Sequence, residues 1–268
     1  MKKLFFAITL SVLMLASGSK VAFADGDSGD KLLFNIGAKA WANTWTTGNF
    51  NESSTVGSNI VTFDSTSTVA LIPSLSLKYG NWALSTGYMP ETSYTFTDYS
   101  DAYPGTSASP VRFMNTAKRS ELDTNVAYYI IPNLAVSVGY KQVVQKYTNT
   151  YKIGAVVSTP SSSTTTMGGL TFGLMGSAAI AGQWNIYGNF AYGAMDVSYS
   201  PTFTSPSADT ATYYSSELGL AYKLSDFGAA FTFGYRSQII DTKVGLSAGT
   251  TMAPDVTKGF ILGANLFF

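Results

Sequence analysis

The chain has 268 residues, enough for one large β domain or two small ones. Its 16 basic and 16 acidic residues balance, and charged residues make up only 12% of it, about half the usual share, so nothing electrostatic favours a nucleic-acid partner. Cysteine and histidine are both absent, which excludes a disulfide framework, a thiol nucleophile, haem attachment and the commonest general base.

The N-terminal stretch reads as a secretory signal peptide over residues 1–24. Lys2 and Lys3 supply the positive start, Leu4 to Ala16 the apolar core, and Ala22-Phe23-Ala24 the small-x-small cleavage site. The core is too short for a membrane helix, and no later run approaches the roughly 18 apolar residues one needs. Cleavage after Ala24 would remove Lys2, Lys3 and Lys20, leaving thirteen basic against sixteen acidic residues, net −3. Residues 25–268 then form a single domain.

From Leu32 onward, apolar residues recur at every second position, the period of a strand with one apolar face. Leu32, Phe34, Ile36, Ala38 and Ala40 open the series. After a loop over Thr46 to Thr66 come Val69, Leu71, Pro73, Leu75, Leu77 and Tyr79. The turn Gly80-Asn81 reverses the chain into Trp82, Leu84, Thr86 and Tyr88. A loop from Thr95 to Met114 precedes Leu122, Thr124, Val126, Tyr128 and Ile130. Ile131 to Asn133 turn the chain into Leu134, Val136, Val138 and Tyr140. A Ser/Thr-rich loop, Thr148 to Thr166, leads to Leu170, Phe172, Leu174, Ala178 and Ile180. Ala181 to Gln183 turn into Trp184, Ile186, Phe190 and Tyr192. Past a loop over Pro201 to Asp209 lie Tyr214, Leu218, Leu220 and Tyr222, the turn Ser225-Asp226, and then Phe227, Ala229, Phe231, Phe233 and Tyr235. A last loop, Asp241 to Asp255, precedes Gly259 to Phe268.

This pattern predicts an all-β fold: a transmembrane antiparallel up-and-down β-barrel of ten strands, with short periplasmic turns, long extracellular loops and both termini periplasmic. Lipid contains no water to satisfy an open sheet edge, so the first and last strands must pair. Aromatic residues near the strand ends suit two interfacial girdles. A soluble sandwich or lipocalin-like barrel would need more charge on its outer face than either face carries here.

The last strand places Phe260, Leu262, Ala264, Leu266 and Phe268 on one face. This resembles the C-terminal assembly signal of Gram-negative outer-membrane β-barrel proteins, which finish on Phe after alternating apolar positions. The whole of residues 25–268 resembles the small members of that class. The resemblance implies outer-membrane lipid and lipopolysaccharide as surroundings, the barrel-assembly machinery as a partner during biogenesis, and no cofactor. Enzymes of the class, such as the ten-stranded omptin proteases and phospholipase A, rely on a histidine that this chain lacks. Opc-type adhesins are a ten-stranded parallel without a shared ligand motif.

The polar face should line the lumen with a charge network of Lys39, Arg119, Lys141 and Arg236 against Glu91, Glu121, Asp123 and Glu217. A three-residue turn at Ile131 to Asn133 places Asp123 opposite Lys141. A two-residue turn at Ser225-Asp226 places Glu217 diagonal to Arg236. Small residues at Gly169, Thr171, Gly173, Ser177, Ala179, Ala191, Gly193 and Gly263 leave room on one wall, into which Trp41, Arg119 and Arg236 could reach. Ten strands give a backbone radius of roughly 10 Å, nearer to a filled barrel than to an open porin. The expected role is structural or surface-interacting, without enzymatic activity and with a mostly filled lumen. The alternative is a narrow channel for passive diffusion of small solutes or ions. Asp98, Asp101, Asp241 and Asp255 read as solvated loop charges rather than metal ligands. The aromatics Phe50, Phe63, Tyr94, Phe96, Tyr99, Tyr103, Tyr151 and Phe203 read as loop residues packed above the barrel. Asn51-Glu52-Ser53 matches a glycosylation sequon by chance.

Overall fold

The computed structural model describes residues 32–47, 62–96, 99–101, 111–153, 156–157, 159–200, 210–242 and 254–268. Residues 1–24, Asp98, Asn51-Glu52-Ser53, Phe50, Tyr103 and Phe203 lie outside them, as do the side chains of Tyr99, Asp101 and Tyr151. The strands are β1 (Leu32–Thr47), β2 (Phe63–Asp64), β3 (Thr68–Tyr79), β4 (Trp82–Thr95), β5 (Tyr99–Asp101), β6 (Val111–Ile131), β7 (Leu134–Ile153), β8 (Val156–Val157), β9 (Ser161–Ala181), β10 (Trp184–Ser200), β11 (Thr210–Leu224), β12 (Ala229–Thr242) and β13 (Asp255–Phe267). Ten of them form a ring in the order β1-β3-β4-β6-β7-β9-β10-β11-β12-β13, every neighbouring pair antiparallel. The ring closes where β1 pairs with β13, from Asn35↔Phe267 to Thr46↔Val256. β2, β5 and β8 are short additions at the end opposite the tight turns.

The alternating apolar residues point outward. Leu71, Leu84, Val138, Leu174, Phe233 and Leu262 are all more than two-fifths exposed. Rings pair across strands at the turn end, Trp82 with Tyr128 and Trp184 with Tyr222, each with centroids 4.9 Å apart. Tyr192 and Tyr214 pair at 5.3 Å toward the other end. These rows suit the amphipathic boundaries of an apolar layer. Two turns rest on glycines with φ near +54°, Gly80 and Gly182, the region that tight hairpins demand.

Three sequence expectations need correction. The predicted loops over Thr95 to Met114 and Thr148 to Thr166 are too long. β6, β7 and β9 run through much of them, and Ser161 to Thr166 is strand. Threonine is β-branched and fits a pleated ribbon with water on both sides, so the ladder continues where apolar alternation has ended. The predicted two-residue turn Ser225-Asp226 is a 3-10 turn, Ser225–Phe227, followed by Gly228 at φ 54. Those two further residues move Glu217 from a diagonal to a position directly opposite Arg236. Glu91 does not face the lumen. β4 carries a bulge between Met89 and Thr92, which turns Glu91 to the outer face. There it contacts Lys118 at 2.8 Å and also Lys146, both about half exposed.

The terminal residue takes part in closure. Phe268 and Phe34 exchange backbone hydrogen bonds of 2.9 and 3.0 Å, and their rings lie 6.3 Å apart. Phe260, Leu262, Leu266 and Phe268 are exposed on the outer face, whereas Ala264, in register between Ala38 and Phe231, is 8% exposed. Deleting Phe268 is expected to lower the yield of assembled barrel while leaving export unchanged. The check is the fraction of heat-modifiable protein on unheated gels, and wild-type levels would contradict it.

Candidate functional site

The lumen is crossed by side chains that join opposite walls. Arg119 starts on β6 and is 1% exposed. Its Nε donates to Glu121 Oε1 at 2.7 Å, and its terminal nitrogens donate across the barrel to Thr257 Oγ1 on β13 at 2.8 Å and Gln238 Oε1 on β12 at 3.2 Å. Glu121 also accepts from Lys141 Nζ at 2.6 Å and from Gln238 Nε2 at 3.2 Å. Gln238 in turn donates to the Tyr213 hydroxyl at 3.2 Å. Every charge in this layer has a counter-charge and hydrogen bonds, as burial requires.

The other expected lumen residues fall on either side of this layer. Asp123 lies opposite Lys141 in register, 3.4 Å from its Nζ, and accepts from Asn125 at 2.6 Å. Lys39 reaches from β1 to Glu217 on β11, with Nζ and Oε1 2.7 Å apart, and Glu217 also accepts from the Tyr187 hydroxyl at 3.0 Å. Arg236 lies with its guanidinium over the Trp41 ring, 5.0 Å from the centroid. Seven of the eight expected charges therefore share the lumen, and Glu91 is the outlier.

Toward the loop end the described lumen holds an aromatic cluster. Trp45, Tyr94, Phe96, Tyr147 and Phe63 are each 6% exposed or less and pack together. Trp45 meets Tyr94 and Phe96 edge-on at 5.2 and 5.4 Å. Asp255, expected as a loop charge, is 3% exposed and accepts from Gln145 on the opposite wall at 2.8 Å. Tyr94, Phe96 and Phe63 lie inside the barrel end, not above it. Sequence reasoning missed Trp45, Gln145, Tyr147, Tyr213 and Gln238. Their one signal was long side chains at inward positions of strands too polar to be read by apolar alternation.

Toward the turn end the lumen keeps a cavity of about 190 Å³. It is lined by Lys39, Glu121, Asp123, Tyr187, Glu217 and Arg236, and by the small residues Thr171, Gly173 and Ala191 of β9 and β10. Not every small residue leaves space. A Cβ on Gly169 or Gly193 would stand 1.9 and 2.6 Å from the neighbouring strand's carbonyl oxygens, so these glycines allow close backbone approach and do not open space. Tyr187 lies across Gly219 and Gly234, which leave its ring room.

No family model matches the chain, and no curated protein matches it in sequence. Among solved structures, the outer-membrane protease OmpT from Escherichia coli superposes over 93% of this chain and 99% of its own, with a TM-score of 0.55 at 13% identity. The chain has the fold of an outer-membrane β-barrel. At that identity the likeness shows the fold alone. The Pseudomonas putida toluene transporter TodX covers 95% of the chain and 96% of its own at 8% identity, with a TM-score of 0.35. The NanC porin covers 85% and 98% at 10% identity, with a TM-score of 0.31. Both superpose too loosely to carry an argument.

In this barrel Glu121 is the shared anion of Arg119 and Lys141. Glu121→Ala removes the carboxylate that Arg119 ion-pairs with and the nearer of the two that Lys141 contacts, and should destabilise the barrel by about 3–5 kcal/mol. Glu91→Ala, on the exposed outer face, should leave the unfolding midpoint unchanged. Urea unfolding followed by tryptophan fluorescence compares the two, and equal effects would contradict this account.

Proposed function

We propose that the chain is an integral outer-membrane protein that works without catalysis, as a structural or surface-interacting barrel whose lumen does not conduct. In this reading the tight turns and both termini face the periplasm, lipid and lipopolysaccharide surround the apolar band, and the barrel-assembly machinery inserts the chain. The single observation that carries the reading is Arg119, which is 1% exposed and hydrogen-bonded to both walls at once. A continuous water path could not pass that layer or the Trp45 cluster beyond it without rearranging fixed, fully paired side chains.

The absence of catalysis rests on residue chemistry. The chain has no histidine and no cysteine. Glu121 is held by Arg119 and Lys141, and Asp123 by Asn125 and Lys141, so neither carboxylate is poised as a base. The protease activity named for OmpT does not transfer at 13% identity. The cavity at the turn end favours the second reading, a narrow diffusion channel, only if the layer above it opens.

Planar-bilayer recording of purified protein separates the two. No single-channel steps are expected. Reproducible steps that disappear on heat denaturation would overturn the closed-lumen reading.

A further inference from the structure

Among the described residues the ladder between β3 and β4 is interrupted, and the reason is chemical. Tyr79 and Trp82 flank the two-residue turn Gly80-Asn81 and face each other, which makes them a hydrogen-bonded pair. Such pairs recur at every second residue, so Leu77 with Leu84 and Leu75 with Thr86 follow. The next two would be Pro73 with Tyr88 and Leu71 with Pro90. Both prolines lack an N–H. The rung between those pairs, Ile72 with Met89, needs donation from both prolines at once. The ladder between β3 and β4 accordingly stops at Ser74↔Gly87. Beyond the gap the two chain segments are joined again by the Thr68 hydroxyl, which donates to the Ser93 carbonyl at 3.3 Å, by the Thr66 N–H, which donates to the Thr95 carbonyl at 2.8 Å, and by the Ser65↔Phe96 bridge. Pro73 and Pro90 thus leave the carbonyls of Tyr88 and Leu71 without their ladder donors in the wall of a membrane barrel, where unpaired backbone groups are costly.

The seam lies at the upper edge of the apolar band. Val69, Leu71 and Tyr88 border it and are 60%, 46% and 49% exposed. The charged trio Glu91, Lys118 and Lys146 stands just beyond, next to Pro90. Behind the seam stand Ile72 and Met89, packed with Trp41, Ala70 and Ile261. Ile72 and Met89 also line the lumen cavity. Methionine is unbranched and adaptable, which suits a movable leaf. On the cavity's inner side is Arg236. Its register partner Glu217 is held by Lys39 and Tyr187, and among the described residues no carboxylate ion-pairs with Arg236.

We propose that the β3–β4 seam is a lateral entry from the membrane to the lumen cavity, and that the site takes a single-chain amphiphile with an anionic head. The head meets Arg236, and the chain runs past Ile72 and Met89 into the apolar layer. The cavity of about 190 Å³ holds the equivalent of roughly six waters, enough for a carboxylate and its first methylenes but not for a two-chain lipid. This entry is compatible with a lumen that is closed along its axis, and its test does not depend on conductance.

Two of the four tryptophans, Trp41 and Trp45, are fully buried, while Trp82 and Trp184 are exposed on the outer face. The parent for the test is therefore the Trp82→Phe/Trp184→Phe protein in nanodiscs of unbrominated lipid. A mid-chain dibrominated stearate is expected to quench its fluorescence, whereas dibrominated phosphatidylcholine is not. Pro73→Ala/Pro90→Ala, which restores both donors, should abolish the quenching. Met89→Phe, which fills the seam without touching the backbone, should do the same and decides the matter if the proline variant fails to assemble. Arg236→Gln should raise the half-quenching concentration about tenfold, the loss of one charge-assisted hydrogen bond. No quenching by the stearate, equal quenching by both probes, or quenching that survives closure of the seam would each overturn the proposal.

Discussion

Backbone pairing without water is the constraint on which the rest of this structure depends. In an apolar layer each N–H and C=O must find its partner within the protein. A closed antiparallel ring meets that demand, and the twelve rungs between β1 and β13 complete it. Closure then fixes the side chains. One face of every strand must be apolar, and the other is confined to a lumen of limited width. The two prolines of the β3–β4 seam gain their importance from the same constraint, because they break the ladder at a place where lipid cannot repair it.

The inner face solves a second problem, that of charge in a confined space. A balanced count of cations and anions does not suffice, because each buried ion also needs its hydrogen bonds met. Here the pairs reach across the barrel rather than only along neighbouring strands. Arg119 joins β6 to β12 and β13, Lys39 joins β1 to β11, and Gln145 joins β7 to β13. Such links tie opposite walls together. Toward the loop end lies the apolar Trp45 cluster. Toward the turn end the small side chains of β9 and β10 border a cavity that Arg236 also lines.

Much of this architecture was legible in the sequence where one rule dominates locally. Period-two alternation gave the ten ring strands, and Gly80 and Gly182 marked two of the turns. The Asp123–Lys141 pairing was expected from a three-residue turn; the turn has two residues, Pro132-Asn133, and a bulge at Ile130 restores the same register. The errors arose where a single residue changes register. A bulge next to Pro90 sent Glu91 to the outer face, and Gly228 lengthened a turn so that Glu217 met Arg236 directly. Ser161 to Thr166 looked like a loop because polar residues on both faces conceal a strand that has left the apolar layer. The cross-lumen partners Gln145, Gln238, Thr257 and Asp255 were invisible to strand-by-strand reading, since contact across a barrel depends on the whole ring and not on neighbours in sequence. Pro73 was read as one more outward residue, and its meaning emerged only when Pro90 was placed across from it.

The central claim is that the Arg119 layer seals the lumen. The exchange of the Arg119 Nε–H proton with water, followed by NMR on the assembled barrel and assigned by its loss in Arg119→Lys, tests that claim most directly. A sealed lumen predicts slow exchange for Arg119 and faster exchange for Arg236, which faces the cavity. Exchange of Arg119 as fast as that of a solvent-exposed arginine would contradict it.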